Sequence, residues 1–572
     1  MDFWLHVANM ILLFAILGVS LNLLLGYSGL VSMSHAAFFG VGAYAAALTA
    51  RHLGWPFPVT LLAAVLVTTV LAGGVTLPAL RVRGEYLILL TLALQMVVYE
   101  LMLSWVDLTE GRTGISAIPR PALFGRVLVT PAQFLPLIAA CAAAVFAIGY
   151  RVGESPFGRV LKAMRDDERA TLAIGKSVLR YKVLVFSISG ALAAVAAGLF
   201  AHYQAFINPF SFTLDRSIFL VALVVLGGTA NLVGTIVGAI IYVGLPEVLR
   251  FLQARQEIVD AIRDFVFGAL LVAFMRFRPQ GLVPERVGSG RRGASPASAV
   301  GTEIVSTLPA PAVRAESDRP VLVAEGLRKS FGGIRAADDL SLVLPGGKVT
   351  ALVGPNGAGK TTVFNLLTGF LTPDAGRVVL RDREVTGLQP WRTVGYGLAR
   401  TFQDVRLFER MTVLDNVVAA IPGQPGERLG PLFLTPWRAA AAERRNRAKA
   451  LGYLAFVGLA DRAGEVASSL AFGEQKLVAL ARLIATEADV LLLDEPASGV
   501  DVQWVDRILE LIRRVASAGK TVCIVEHNLE VVTAIADRAY FMEAGRIIAE
   551  GRPEALMADA RLAEIYFGKA HR

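Results

Sequence analysis

The sequence predicts two unlike halves: an all-α polytopic transmembrane domain over 1–283, then an α/β domain with a phosphate-binding loop over 321–572, joined by a flexible linker over 284–320. Three observations carry this. Of 572 residues, 55% are hydrophobic and only 18% charged, and the apolar residues concentrate before about residue 280 while the charged ones follow it. That charge content is below the roughly one quarter usual for soluble proteins. The stretch Gly354-Pro355-Asn356-Gly357-Ala358-Gly359-Lys360-Thr361-Thr362 is GxxxxGKT, set between apolar Val349, Ala351, Leu352 and Val353 and the helical spacing of Phe364, Leu366 and Leu367. From Val321 onward, strand-like runs alternate with helical ones.

The net charge of +9 has two readings, nucleic acid or the Lys/Arg excess that bilayer proteins keep on the cytoplasmic side. The apolar first half favours the second and excludes a soluble nucleic-acid ATPase. Cys141 lies in an apolar run and Cys523 in a strand-like one, so neither a disulfide framework nor a cysteine metal site is expected. The run 4–25 lacks a basic leader and a clear small-x-small cleavage site, and is long enough to be a retained membrane helix.

Apolar runs of spanning length occupy 4–25, 29–50, 57–80, 86–105, 130–150, 183–207, 217–245 and 259–275. Three basic groups should be cytoplasmic: Arg81 with Arg83; Arg151, Arg159, Lys162, Arg165, Arg169, Lys176, Arg180 and Lys182; and Arg276 with Arg278. Three spans precede Arg81, which places the N-terminus outside. Three crossings between Lys182 and Arg276 would put the last group on the wrong side. The run 217–245 contains Gly227-Gly228, Gly234, Gly238 and Gly244, and breaking it into two segments that return to one face restores parity. Broken spans are tolerated where protein or a water-filled cavity satisfies the backbone; close packing through small residues explains the same glycines equally. The stretch 26–42, with Ser28, Ser32, Ser34 and His35 in an apolar frame, poses the same alternative, and His35 suits either helix packing or substrate contact.

The longest polar loop of this half, 153–182, puts Val160, Leu161, Met164 and Leu172 on one helical face. Such a helix can dock in a groove of an ATPase domain, the reading preferred here, or lie at lipid headgroups. The change to Pro, Ala, Ser and Gly between Pro284 and about Pro320 marks the linker.

In the phosphate loop, glycines let successive backbone N–H groups curl round an anion. Lys360 adds a mobile charge, Thr361 offers an oxygen to a phosphate-bound Mg²⁺, and the following helix points its positive end at the phosphates. A nucleoside triphosphate is the expected ligand. Phe331, upstream, is a candidate to stack on adenine, though a lone aromatic is more often core. Arg400-Thr401-Phe402-Gln403 follows, then a charged, partly helical excursion over 420–450, then Leu470-Ala471-Phe472-Gly473-Glu474-Gln475 opening a helix. An apolar strand ends in Asp494 and Glu495; the first suits Mg²⁺, the second a water to be polarised. Ser498-Gly499-Val500-Asp501 and a strand leading to His527 complete the series.

In that order these motifs strongly resemble the ATP-binding cassette family over 321–572, so the α/β half is expected to be such a cassette. The resemblance implies ATP and Mg²⁺ as ligands. It makes Gln403 the lid residue sensing metal and water, 470–475 the signature that completes the ATP site of a partner cassette, Asp501 part of the dimer-contact loop and His527 the γ-phosphate switch. Glu495, His527 and Lys360 would carry the chemistry, Thr361, Gln403 and Asp494 the metal. One departure stands out. The signature usually reads Leu-Ser-Gly-Gly, and Ala471 cannot make the serine's hydrogen bond to the partner's γ-phosphate, so the site it completes is expected to be the weaker.

In the first half, Gly26-Tyr27-Ser28-Gly29-Leu30-Val31-Ser32, Gly40-Val41-Gly42-Ala43-Tyr44, Phe157-Gly158-Arg159 through Ile174-Gly175, Val225-Leu226-Gly227-Gly228 and Phe277-Arg278-Pro279-Gln280-Gly281-Leu282 together resemble a permease of the high-affinity branched-chain amino acid uptake family. The cassette is similar to that family's ATPase subunits. The resemblance implies a multi-pass inner-membrane importer with its ATPase cytoplasmic, fed by a periplasmic binding protein and assembled with a second permease and a second cassette. Its small-molecule substrate would be a branched-chain or other hydrophobic amino acid, with urea, amides or aromatic acids as the family's alternatives. A homodimeric ABC exporter half-transporter is the alternative of another class; broken spans and short loops favour import.

Overall fold

The computed structural model describes residues 2–79, 85–123, 125–250, 256–278, 280–285, 320–559 and 561–562. Arg81 and Arg83, most of the expected linker (286–319) and the residues from 563 on lie outside the described residues. The chain divides into two units, Met1–Arg165 with Val178–Arg286, and Asp166–Ser177 with Val287–Arg572.

The first unit is helical. Its long helices are α1 (Asp2–Asn22), α2 (His35–His52), α3 (Phe57–Ala79), α4 (Glu85–Ser104), α5 (Pro131–Gly153), α6 (Pro156–Asp166), α7 (Val178–Gln204), α8 (Leu214–Gly227), α9 (Leu232–Arg250) and α10 (Gln256–Phe277). Six stretches among the described residues are long and apolar enough to cross a membrane: Asp2–Tyr27, Phe57–Val75, Tyr86–Ser104, Pro131–Gly153, Val178–Gln204 and Pro209–Gly227. The expected spans 29–50 and 259–275 are helices too, α2 and α10, but fall outside those six.

Small residues set the packing. A Cβ on Gly190 would lie 2.5 Å from Ala72 Cβ, and one on Gly42 would lie 2.8 Å from Ala197 Cβ, so α7 approaches α3 and α2 closely. The run 217–245 is broken, as expected, between α8 and α9. The two helices then pack antiparallel, because a Cβ on Gly227 would meet the Gly234 carbonyl oxygen at 2.2 Å and one on Gly238 the Leu223 carbonyl oxygen at 2.2 Å. Both readings of these glycines therefore hold: the span is broken, and its limbs touch backbone to backbone.

A second break separates α1 from α2. A π-helical turn, Leu23–Tyr27, continues α1, and Gly29 takes a left-handed φ of +70° before the chain re-enters helix at His35. The freed N–H groups at the start of α2 are satisfied by three side chains from two other helices, α4 and α8. Ser217 Oγ accepts from Ala36 N–H at 2.9 Å, Gln95 Oε1 from Ala37 N–H at 2.7 Å, and Thr91 Oγ1 from Met33 N–H at 3.0 Å. His35 is fully buried, with Nε2 2.7 Å from Ser20 Oγ. The structure thus places it as a packing residue between α1 and α2.

Asn22 clasps the other break. Its Oδ1 accepts from Ala230 N–H at 2.8 Å, and its amide N–H groups reach the Asn231 carbonyl at 3.0 Å and the Thr235 hydroxyl at 2.8 Å. Substituting Asn22→Leu takes the acceptor from the buried Ala230 N–H, at about 1–3 kcal/mol, while the Asn231 carbonyl and the Thr235 hydroxyl keep only their longer 3.3 Å bond to each other. We expect a clear drop in the denaturant midpoint of the solubilised protein, larger than for Ser20→Ala.

In the second unit, β1 (Pro320–Phe331), β2 (Ile334–Pro345), β4 (Ala375–Leu380) and β5 (Arg383–Glu384) form an antiparallel sheet ordered β2-β1-β4-β5. A six-stranded sheet runs β6 (Leu398–Arg400), β7 (Val490–Asp494), β8 (Thr521–Val525), β3 (Val349–Val353), β9 (Arg538–Glu543), β10 (Arg546–Gly551). All its pairs are parallel except the last. The buried strands β3, β7 and β8 read as continuous apolar runs because both faces are covered. Helix α11 (Lys360–Leu367) packs Phe364, Leu366 and Leu367 into the core between the sheets.

Candidate nucleotide site and the docked segment

In an open parallel sheet, ligands bind beyond the carboxyl ends of the strands, and this sheet brings the predicted groups there. β3 ends at Val353 and runs into the phosphate loop, β6 leads to Gln403, β7 ends on Asp494, and β8 leads to His527. The loop's glycines are demanded by close approach. A Cβ on Gly354 would sit 2.1 Å from the Met542 carbonyl oxygen and one on Gly359 2.2 Å from that of Ala336, and their φ angles are +156° and +102°. Lys360 Nζ donates to the carbonyls of Gly354 at 2.7 Å and Pro355 at 2.9 Å, so the ammonium lies within the cradle. Burial lowers its pKa, opposed by Glu495 and Asp494. Ala358 is buried, while Asn356, Gly357 and Thr361 face solvent and Thr362 is half-buried.

Gln403 Nε2 donates to Glu495 Oε2 at 3.3 Å, and His527 Nδ1 lies 3.8 Å from the same oxygen. Two groups far apart in sequence thus meet on one carboxylate. Glu495 also has a left-handed φ of +47°, a conformation that costs a non-glycine residue on the order of 1–3 kcal/mol. Its N–H donates to the Val525 carbonyl at 2.9 Å and its own carbonyl accepts from Lys476 Nζ at 3.0 Å, which holds it there.

Phe331 is half-exposed at the end of β1 with Lys329 Nζ 5.8 Å from its ring centre. The 470–475 segment makes its contacts elsewhere. Glu474 Oε2 accepts from Ala471 N–H at 3.0 Å, Gln475 Nε2 donates to the Leu470 carbonyl at 3.0 Å, and a Cβ on Gly473 would lie 2.6 Å from the Trp504 ring. Phe472 is 47% exposed, presenting an aromatic face outward. Asp501 precedes the helix Val502–Ser517 and is exposed.

Sequence reasoning missed two cations. Arg400, at the end of β6, is buried against Asp494, with side chains 2% and 1% exposed and 3.0 Å apart. It also donates to Asn365 Oδ1 at 2.6 Å and the Thr401 carbonyl at 3.0 Å, and lies 4.8 Å from the Phe402 ring centre. Burial raises the Asp494 pKa and the guanidinium counteracts it. Lys476 donates to the carbonyls of Glu495, Pro496 and Ser498, tying the 470–475 helix to the turn after β7. A basic residue closing an apolar strand was the available signal for Arg400; Lys476 follows directly on Gln475.

The segment Asp166–Ser177 belongs to this unit. Asp167 Oδ2 accepts from Arg406 at 2.8 Å, Asp166 Oδ2 from Arg410 N–H at 3.0 Å, and Lys176 Nζ donates to Glu427 at 2.6 Å and the Ile421 carbonyl at 3.0 Å. Ala173 and Ile174 line a cavity with Phe402, Arg406, Leu480 and Leu483. Of the stretch 153–182 expected to dock, residues 166–177 belong to this unit. Val160, Leu161 and Met164 are buried in α6, and the helix ends because Asp167 adopts extended backbone and caps a second short helix, Glu168–Ala173, by accepting from Ala170 N–H at 2.9 Å. Only Leu172 of that face lies in the docked segment.

Two family models match the chain: the permease component of the branched-chain amino acid transport system over residues 3–275 and the ABC transporter over 337–498. The high-affinity branched-chain amino acid transport ATP-binding protein LivG of Salmonella typhimurium is 38% identical over 255 residues, covering 44% of this chain and 99% of LivG. The permease protein LivM of the same organism is 35% identical over 302 residues, covering 49% of this chain and 69% of LivM. The chain belongs to the ABC transporters of the branched-chain amino acid transport family. A crystal structure of a nucleotide-free cassette from an ABC transporter aligns at 35% identity over 44% of this chain and 100% of that one, with a TM-score of 0.39. The transporter thus carries permease and ATPase on one polypeptide, and its cassette binds ATP and hydrolyses it to drive transport.

Breaking a buried ion pair by removing one partner typically costs about 3–5 kcal/mol. Arg400→Leu should destabilise the transporter by that order in denaturant unfolding. Arg400→Lys should recover only part, since an ammonium cannot serve Asp494, Asn365 and Thr401 in one planar fork.

Proposed function

We propose that the transporter is the fused permease and ATPase of an importer for branched-chain or other hydrophobic amino acids, seated in the inner membrane with its cassette on the cytoplasmic side and fed by a periplasmic binding protein. The observation that carries this reading is that its two halves match the two kinds of subunit, permease and ATPase, of one amino acid transport system. The antiparallel break between α8 and α9 supports it, since transporters route their cargo past broken helices.

In the proposed cycle the phosphate-loop N–H groups and Lys360 hold the triphosphate, and Phe331 stacks on the adenine. The Asp494 Oδ1 atom is buried without a hydrogen-bond partner among the described residues, which fits a metal-bound water there, with Thr361 and Gln403 as the remaining oxygen donors. Mg²⁺ would neutralise charge on the β- and γ-phosphates. Glu495, aligned by Gln403 and His527, takes a proton from the attacking water, and His527 reports the γ-phosphate. The 470–475 segment and Asp501 face a second cassette, so a second ATPase and a second permease complete the assembly. Movement of the cassettes reaches the membrane helices through Asp166–Ser177.

ATP hydrolysis in liposomes, measured with binding proteins loaded with leucine, urea or aromatic acids, tests the reading. Stimulation by the leucine-loaded protein is expected; stimulation by urea- or aromatic-loaded protein alone would reassign the cargo, and activity stimulated only without any binding protein would overturn import. Ala471→Ser supplies both the missing signature hydroxyl and an N-cap for the helix Phe472–Ala485, the latter worth about 0.5–2 kcal/mol. We expect faster ATP turnover together with a higher melting temperature; a stability gain with unchanged turnover would sink the idea that Ala471 weakens the partner's site.

A further inference from the structure

The motif ending Gly281-Leu282 has no place in ATP chemistry, yet its backbone is built into the helix break. Leu282 N–H donates to the Leu226 carbonyl at 2.9 Å and Val283 N–H to the Gly227 carbonyl at 3.0 Å. These are carbonyls that the end of α8 cannot pair within the helix. The crossing is too tight for side chains: a Cβ on Gly228 would lie 2.0 Å from the Val283 carbonyl oxygen, and one on Gly281 2.6 Å from Gly228 Cα, with φ angles of +131° and +76°. One residue further, the Pro284 carbonyl accepts from Asn231 Nδ2 at 2.8 Å, while Asn231 Oδ1 accepts from Val233 N–H at 3.0 Å at the start of α9. Residues 281–284 therefore hold both sides of the break.

Glu285 then ties this strap to α6. Its Oε2 lies 2.9 Å from Arg165 Nη1, and Lys162 Nζ is 3.8 Å from its Oε1, with the Arg165 and Glu285 side chains only 8% and 15% exposed. Arg165 also donates to the Gly26 carbonyl at 2.8 Å, in the π-helical turn that continues α1, and α1 ends in Asn22, which clasps the same break from the other side. Arg165 is the last residue of the first unit before the docked segment begins at Asp166.

We propose that residues 281–285 are a transmission strap, and that Arg165 and Glu285 are positioning residues through which the cassette's cycle moves the break between α8 and α9. A displacement of Asp166 displaces Arg165, its covalent neighbour. The ion pair passes that displacement to Glu285, and the backbone hydrogen bonds of 282 and 283 pass it to Leu226 and Gly227, with the close approach of Gly228 and Gly281 between them. The proposal needs ATP-driven transport and is independent of which substrate is carried.

The test uses the intact transporter, purified by a tag on this chain, with Cys141→Ser and Cys523→Ala and an environment-sensitive fluorophore on Val233→Cys, a site 46% exposed beside the break. Trapping nucleotide with ATP and vanadate is expected to shift the emission in the parent. In Glu285→Gln the shift should fall roughly fivefold, as for a coupling residue remote from both sites, while the amount of trapped nucleotide is unchanged, and Glu285→Asp should restore it. An unchanged shift in Glu285→Gln, no shift in the parent, or joint loss of trapping and shift would each overturn the proposal. Should Glu285→Gln not be recoverable, Arg165→Lys decides: it retains the charge opposite Glu285 but gives up the Gly26 carbonyl, so a reduced shift with normal trapping supports the strap and a full shift refutes it.

Discussion

A polar backbone group freed inside a membrane protein must find a partner within the protein, and that constraint governs the first unit. Two of its helical runs are interrupted, after Tyr27 and after Gly227. At each interruption freed groups are taken up by side chains from distant parts of the chain, Gln95, Ser217 and Thr91 at the start of α2 and Asn22 at the α8–α9 turn, where the turn's own Asn231 also contributes. The interruptions are therefore fixed features, and the helices that supply the partners are held in register by them. Because Asn22 ends α1 and serves the α8–α9 turn, the two interruptions cannot shift independently.

The second unit meets a related constraint with charge. Four ionisable side chains, Lys360, Arg400, Asp494 and Glu495, converge at the carboxyl ends of neighbouring strands. Buried charges persist only when paired and hydrogen-bonded. Arg400 balances Asp494 from inside the core, and Lys360 faces both carboxylates from the phosphate loop. Lys476 serves a different purpose, gripping the carbonyls of the strained turn at Glu495. The 470–475 helix and the carboxylate turn are consequently tied together through one side chain.

What was legible in the sequence divides along the same lines. The phosphate loop is a local device, and its glycines, lysine and threonine could be read directly because strand, turn and helix are contiguous. Gln403, Glu495 and His527 were legible through their order, although the meeting of Gln403 and His527 on the Glu495 carboxylate is a product of strand order. The break at Gly227-Gly228 was legible because glycines are costly in a helix unless a turn or close contact needs them, and here both do. Asn22 and Arg400 were not, because their partners lie 208 and 94 residues away. The face at Val160, Leu161 and Met164 was read with the correct period, and all three side chains are buried. Periodicity identifies a buried side without identifying what buries it, and the cap at Asp167 that divides the helix is a single residue.

The course of the chain between the two units assigns different work to its connections. It passes from one to the other after Arg165, after Ser177 and after Arg286. The first passage falls inside α6 and the second one residue before α7 begins, so at both points the connection has no slack. The third enters a Pro-, Ala-, Ser- and Gly-rich stretch that lies outside the described residues. In the proposed cycle displacement travels by the two connections without slack, through Asp166–Ser177, a route that would remain if the two halves were separate polypeptides.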